Sequence, residues 1–235
     1  MVTFVEVFFQ SVAAALAVFG ASITYLTYKR GAEIRKLNDE IYHLKRVNLE
    51  ISGKVNPESD RKLVEGAEKS IQILGINALG ALHHAREELI EFLKRKKGTL
   101  RVLLLDPKGR EFGSRAEFEK DVVGRIKSEW EASVRILRGI AYHARGSGNI
   151  ELRLYDEKPD RSLIIVDASE EEPYKARMLI NYYPPTEGKR GYEGGQFLSE
   201  RSLARDRDAF DTNWDRFRTL WEESTAAEFG TSGSS

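Results

Sequence analysis

An α/β domain with a mixed sheet flanked by helices, carried behind one membrane helix and a short coiled coil, is the architecture this sequence predicts. Three observations carry it. Residues 4–28 are almost wholly apolar, residues 29–54 keep a heptad of apolar positions, and from residue 55 onward short apolar runs alternate with amphipathic stretches of helical period. The 235 residues therefore divide into a transmembrane helix (1–28), a juxtamembrane coiled coil (29–54), a cytoplasmic domain (55–229) and a flexible tail or expression scar (230–235, GTSGSS).

The segment FVEVFFQSVAAALAVFGASITYLTY holds one charge, Glu6, and is longer than the roughly 20 apolar residues that cross a hydrocarbon core. No basic residue precedes it, which sets it apart from a cleaved signal peptide. Lys29, Arg30, Arg35 and Lys36 follow, so the amino terminus is expected outside and the remainder in the cytoplasm of a single-pass inner (plasma) membrane protein. Glu6, Gln10, Ala13, Ala17, Gly20, Thr24 and Thr27 lie within about 60° of one line along this helix. Such a strip of small and polar residues either packs against a partner helix or lines a pore.

In KRGAEIRKLNDEIYHLKRVNLEIS, the residues Ile34, Leu37, Ile41, Leu44, Asn48 and Ile51 fall at successive a and d positions. Isoleucine at a, leucine at d and one asparagine at a favour a parallel two-stranded coil. Counting back by sevens from Ile34 reaches Thr27, Gly20, Ala13 and Glu6, so membrane strip and coil share one frame. The expected assembly is a homo-oligomer, a dimer or a dimer of dimers.

Lysine plus arginine and aspartate plus glutamate each total 37, a net charge of zero. That excludes a non-specific nucleic-acid coat, so any nucleotide must be held in a local pocket. The absence of cysteine excludes disulfides, thiolate metal sites and cysteine nucleophiles. The mean hydropathy of −0.45 conceals the apolar segment at the amino end.

Within the domain, residues 57–69 read as a helix with Pro57 in its first turn, and 70–76 (SIQILGI) as a strand. Residues 79–97 form an amphipathic helix ending in four basic residues, with Gly98 as its cap. Residues 100–105 (LRVLLL) are a buried strand. One long helix is expected over 115–143, with Phe118, Val122, Ile126, Trp130, Val134 and Leu137 on one face. Strands follow at 149–155, 162–167 (SLIIVD) and 176–183, and a last helix at 209–224 aligns Phe210, Trp214, Phe217 and Trp221. The run SEEEP at 169–173 reads as a solvated acidic turn.

The segments EGAEKSIQILGI, GTLRVLLLDPKG, NIELRLYDEKPDRSLIIVDAS and FDTNWDRFRTLWEES, in that order, resemble the core of one repeat of the phospholipase D-like superfamily. The resemblance covers residues 55–224. It implies that superfamily's mixed sheet and an HxKxxxxD motif, whose histidine is the nucleophile and whose lysine binds phosphate. With the motif's aspartate on Asp167, its histidine position falls on Asp160 and its lysine position on Ser162. Neither catalytic residue is present. Phosphohistidine chemistry needs an imidazole nucleophile and a cation on the phosphoryl oxygens, and Asp160 would repel a phosphodiester. The resemblance thus implies a catalytically inactive member that keeps a phosphodiester-binding cleft.

Candidate ligand contacts are Lys108 and Arg110 after LLLDP, Lys158 and Arg161 beside the degenerate motif, and Lys189, Arg190 and Tyr192 in TEGKRGYEGGQF, because glycine-rich loops with basic residues can cradle phosphate. Tyr182 and Tyr183 either stack on bases or belong to the core. The histidines are His43, His83, His84 and His143. His83 and His84 point about 100° apart on a helix, and His84 with Glu88 has the spacing of a solvated pair, so no metal site and no cofactor are expected. The expected function is a membrane-anchored effector that senses a nucleotide or oligonucleotide and controls its membrane helix, the layout of bacterial antiviral effectors. The alternatives are a phosphodiesterase or nuclease using His83, His84 or His143 with Asp167, and a structural anchor recruiting a protein partner.

Overall fold

The computed structural model describes residues 57–227 apart from 122–123, 146, 170, 173–174, 184–195 and 205. They fall in the second of two units into which the chain divides, Leu49–Ser235. The expected membrane helix, its strip from Glu6 to Thr27, the coil and the tail lie outside the described residues; among the described residues no helix is long and apolar enough to cross a membrane.

The elements run α1 (Pro57–Glu65), β1 (Ser70–Gly75), α2 (Leu79–His84), α3 (Arg86–Glu91) closing in a π-turn at Phe92–Lys96, β2 (Thr99–Leu105), α4 (Arg110–Phe118), α5 (Arg125–His143), β3 (Asn149–Tyr155), β4 (Arg161–Val166), β5 (Arg177–Tyr182), β6 (Gln196–Glu200), α6 (Arg207–Glu223) and β7 (Thr225–Ala226). The fold is α/β: one mixed sheet in the order β6-β5-β4-β1-β2-β3-β7. β1, β2 and β3 run parallel, while β4 pairs antiparallel with β1 and with β5.

The strands are apolar on both faces because helices cover both. On one face Ile71, Ile73, Leu100, Val102, Leu104, Ile164 and Val166 meet Leu63, Leu82, Leu89, Leu93, Val134, Leu137 and Ile140 of α1, α2, α3 and α5. On the other, Leu74, Leu103, Leu105, Leu163, Ile165, Met178 and Ile180 meet Phe112 of α4 and the aromatic row Phe210, Trp214, Phe217 and Trp221 of α6. At about 25 cal/mol per Å² these two apolar layers are the main stabilising term.

Three local expectations are corrected. The helix at 79–97 is broken at Ala85, which leaves helical geometry at φ −105°, ψ 22°. Its left-handed end is Lys97 (φ 53°), not Gly98; Gly98 is glycine because a Cβ there would enter the Phe92 ring. The helix over 115–143 is two helices, separated by Lys120 (φ 53°) and Gly124 (φ 67°). Asp121 forms the new start, its carboxylate accepting the N–H groups of Arg125 at 2.9 Å and Ile126 at 2.8 Å.

Gly98→Ala is expected to cost about 1–3 kcal/mol through overpacking, a Tm loss of several degrees by thermal denaturation. Gly113→Ala, mid-helix with open space around its Cβ, should leave Tm unchanged or raise it.

Candidate functional site

A cleft of about 910 Å³ opens at the carboxyl end of β1, the side of an open α/β sheet where ligands bind and the size of a small-molecule site. Its floor is Ile73 and Ile164, with Leu74 and Leu163 at its border; the Ile76–Ala81 turn forms one wall and Arg125, Ile126 and Glu129 of α5 another. Ser162 of β4 and Asn181 of β5 are direct partners in the ladder and share the floor. Asn181 Nδ2 donates to Ser162 Oγ at 3.4 Å.

Most polar groups of the wall are satisfied by one another. Asn77 Oδ1 accepts the Leu79 N–H at 3.1 Å, and Asn77 Nδ2 donates to Glu129 at 2.8 Å. Arg125 donates to both Glu129 oxygens at 2.8 and 2.9 Å and to Glu119 at 2.5 Å, and Glu119 also pairs with buried Arg115 at 2.6 Å. The Arg115 guanidinium lies 5.0 Å from the centre of the Tyr183 ring. The Tyr183 hydroxyl accepts the Ile76 N–H at 3.2 Å. Burial pushes its pKa up to about 12, so it stays protonated.

His83 and His84 both border the cleft. His84 Nδ1 lies 3.2 Å from Asp60 Oδ2 of α1. Glu88, the partner expected from spacing, pairs instead with Arg61 at 2.9 Å, because the break at Ala85 removes the continuous helix that spacing assumes. Asp60 is only 2% exposed. Burial raises its carboxyl above the ordinary value, and His84 offsets only part of that.

The degenerate motif is split by its strand. Ser162 faces the cleft. Asp160 is ion-paired to Arg161 at 2.5 Å and lies 3.8 Å from Arg216. Burial would raise its pKa, but Arg161 and then Arg216 hold it below the ordinary value. Asp167 is structural: at φ 53° it turns back, and its carboxylate accepts the N–H groups of Glu68, Lys69 and Ser70 at 2.9, 2.6 and 3.1 Å. The Asp167 carboxylate is thus taken up by backbone N–H groups, and the carboxylate beside His84 is Asp60.

None of the four described basic candidates lines the cleft. Lys108 and Lys158 are exposed. Arg110 is exposed too, and its N–H with that of Glu111 donates to Asp156 at 3.1 and 2.9 Å, so the start of α4 already holds a carboxylate. Arg161 is committed to Asp160, to Asn213 at 2.6 Å and to the Tyr182 ring. Lys189, Arg190 and Tyr192 lie outside the described residues. Sequence reasoning missed Asp60, Asn77, Arg125, Glu129 and Asn181. Only Asn181 carried a signal, since it falls opposite Ser162 once β4 and β5 are paired.

No group of three or more histidine or carboxylate side chains that could hold a metal ion occurs among the described residues. Comparison of the chain with family models and with curated proteins finds no match.

Asp167→Ala removes the acceptor of three N–H groups and leaves a strained φ, an expected cost of about 2–4 kcal/mol. Asp167→Asn, which keeps one acceptor oxygen and tolerates that φ, should cost markedly less in the same denaturation assay. For Asp60 the sign is opposite. Its raised pKa means the folded chain holds a proton more tightly than the unfolded one, so the ionised carboxylate weakens the fold at neutral pH, and this weakening fades as pH falls through the folded value. Asp60→Asn should therefore match or exceed the parent Tm at pH 7, the gain vanishing as pH approaches 4.

Proposed function

We propose that the chain is an oligomeric, membrane-anchored effector whose 55–229 domain is a non-catalytic, phospholipase D-like sensor. It binds a ligand of the nucleotide or oligonucleotide class in the cleft and acts on the membrane helix through the coil, in a role of the bacterial antiviral kind. The observation that carries the reading is the site at the motif positions. Ser162 opens into a ligand-sized cleft, while Asp160 is held in an ion pair and no imidazole stands where a phosphohistidine would form. A cleft with Asp160 and Ser162 at the positions where the motif has its histidine and lysine supports binding rather than phosphohistidine transfer.

Expression of the full chain in a bacterial host, with a membrane-potential dye as readout, tests this. The parent should depolarise the membrane and the detergent-purified chain should carry or bind a nucleotide. Ser162→Leu, which fills the cleft floor, should abolish both while the oligomer persists in native mass spectrometry. Depolarisation undiminished by Ser162→Leu would sink the reading.

A second reading is favoured by one observation: Asp60 orients the His84 ring at the cleft edge, as a general base is oriented. Hydrolysis of bis(p-nitrophenyl) phosphate by the full chain, lost in His84→Ala, would replace the sensor with a phosphodiesterase.

A further inference from the structure

Two side-chain oxygens of residues bordering the cleft, Asp60 Oδ1 and Asn181 Oδ1, are buried with no hydrogen-bond partner. Both are acceptors. An unmet buried acceptor is costly, and more so when charged. The other cleft carboxylates are compensated: Glu119 by Arg115 and Arg125, Glu129 by Arg125 and Asn77. Asp60 has only the His84 ring, on its other oxygen. Among the described residues of the cleft, Asp60 is therefore the carboxylate with no arginine partner, and it lies among apolar walls including Ile73, Ile76 and Leu79.

We infer that the cleft receives a cationic, amidinium- or ammonium-type N–H donor head at Asp60 and Asn181, with the apolar body of the ligand against those walls, and that it turns anionic heads away. The inference rests on the proposed function only in taking the cleft as the ligand site. For a nucleotide it specifies the pose: the N–H edge of the base enters and the phosphates stay outside. Donors supplied to Asp60 restore hydrogen bonds that the chain itself leaves unmade, whereas a phosphate would face that carboxylate without a free cation on the described wall.

The test uses the full chain in detergent micelles and two probes of equal shape and opposite charge, benzamidinium and benzoate, followed by ligand-observed NMR. Benzamidinium should bind saturably and benzoate should not. Asp60→Asn should weaken benzamidinium by about tenfold or more. His84→Ala, which frees the second Asp60 oxygen, should strengthen it, a gain that a purely structural Asp60 would not give. Asn181→Leu gives an independent loss should Asp60→Asn fail to fold. Benzoate binding as tightly as benzamidinium, neither probe binding, or Asp60→Asn and Asn181→Leu both leaving benzamidinium unchanged overturns the inference. Benzamidinium binding in a chain that ignores nucleotides overturns only the nucleotide ligand; nucleotide binding without benzamidinium binding overturns the inference and leaves the cleft as the nucleotide site.

Discussion

The Asp167 carboxylate gathers the three N–H groups that lead into the central strand, and the rest of the sheet depends on that knot. Residue 167 closes β4 and receives the chain just before β1, so the two strands are tied at one end before their ladder begins. The tie fixes the pairing of Ile71 with Val166 and of Leu74 with Leu163. A slip of one residue would exchange the two faces of β1, sending Gln72 where Ile71 and Ile73 now pack. At the far end of the same ladder the register decides what enters the cleft. With Ser162 opposite Asn181, both polar side chains come to the floor while Leu163 and Ile180 go to the opposite core. Asp167 thus serves the cleft by geometry, from the other end of the strand.

Five of the seven described strands were legible, the central ones because burial on both faces writes itself as continuous apolar runs such as LRVLLL and SLIIVD, whereas the edge strands β6 and β7 carried no such run and were missed. The aromatic row of α6 was legible for the same reason, its period matching one buried stripe. What stayed hidden was set by contacts distant in sequence or by single backbone angles. Nothing in AREEL marks Ala85 as a break. The Asp121–Gly124 stretch did hold a capping signal, but the apolar period running through it masked the new start. The start of α4 looked open to an anion because Asp156, which takes the N–H groups of Arg110 and Glu111, follows β3, distant in sequence. Asp60 was invisible as a site residue, since its place depends on α1 packing across α2.

A net charge of zero has a local counterpart in the cleft wall. Arg115, Glu119, Arg125 and Glu129 alternate in sign and close on one another, with Glu119 only 3% exposed between two guanidinium groups. Pairs of this kind add little to stability over an apolar equivalent, because desolvating them costs nearly what their attraction returns. Their effect is on shape: they link the end of α4 to the start of α5, and they leave neither Arg115 nor Arg125 free for an anionic ligand. Specificity then falls to the one carboxylate outside the network.

That carboxylate sits on α1, the first described element and the one from which the chain leads back toward residue 56. On this side α1 is held by three kinds of contact: burial of Leu63 and Val64, the exposed Arg61–Glu88 pair, and the Asp60–His84 contact. Exposed pairs are worth little, and the apolar contacts do not change when a ligand enters. The Asp60–His84 contact does change, since a donor at Asp60 competes with, or adds to, the imidazole. A ligand can shift an equilibrium only by the difference in its affinity for the two states, about 1.4 kcal/mol for each tenfold. A buried carboxylate with a single imidazole as its described side-chain partner is where so small a difference is most readily generated.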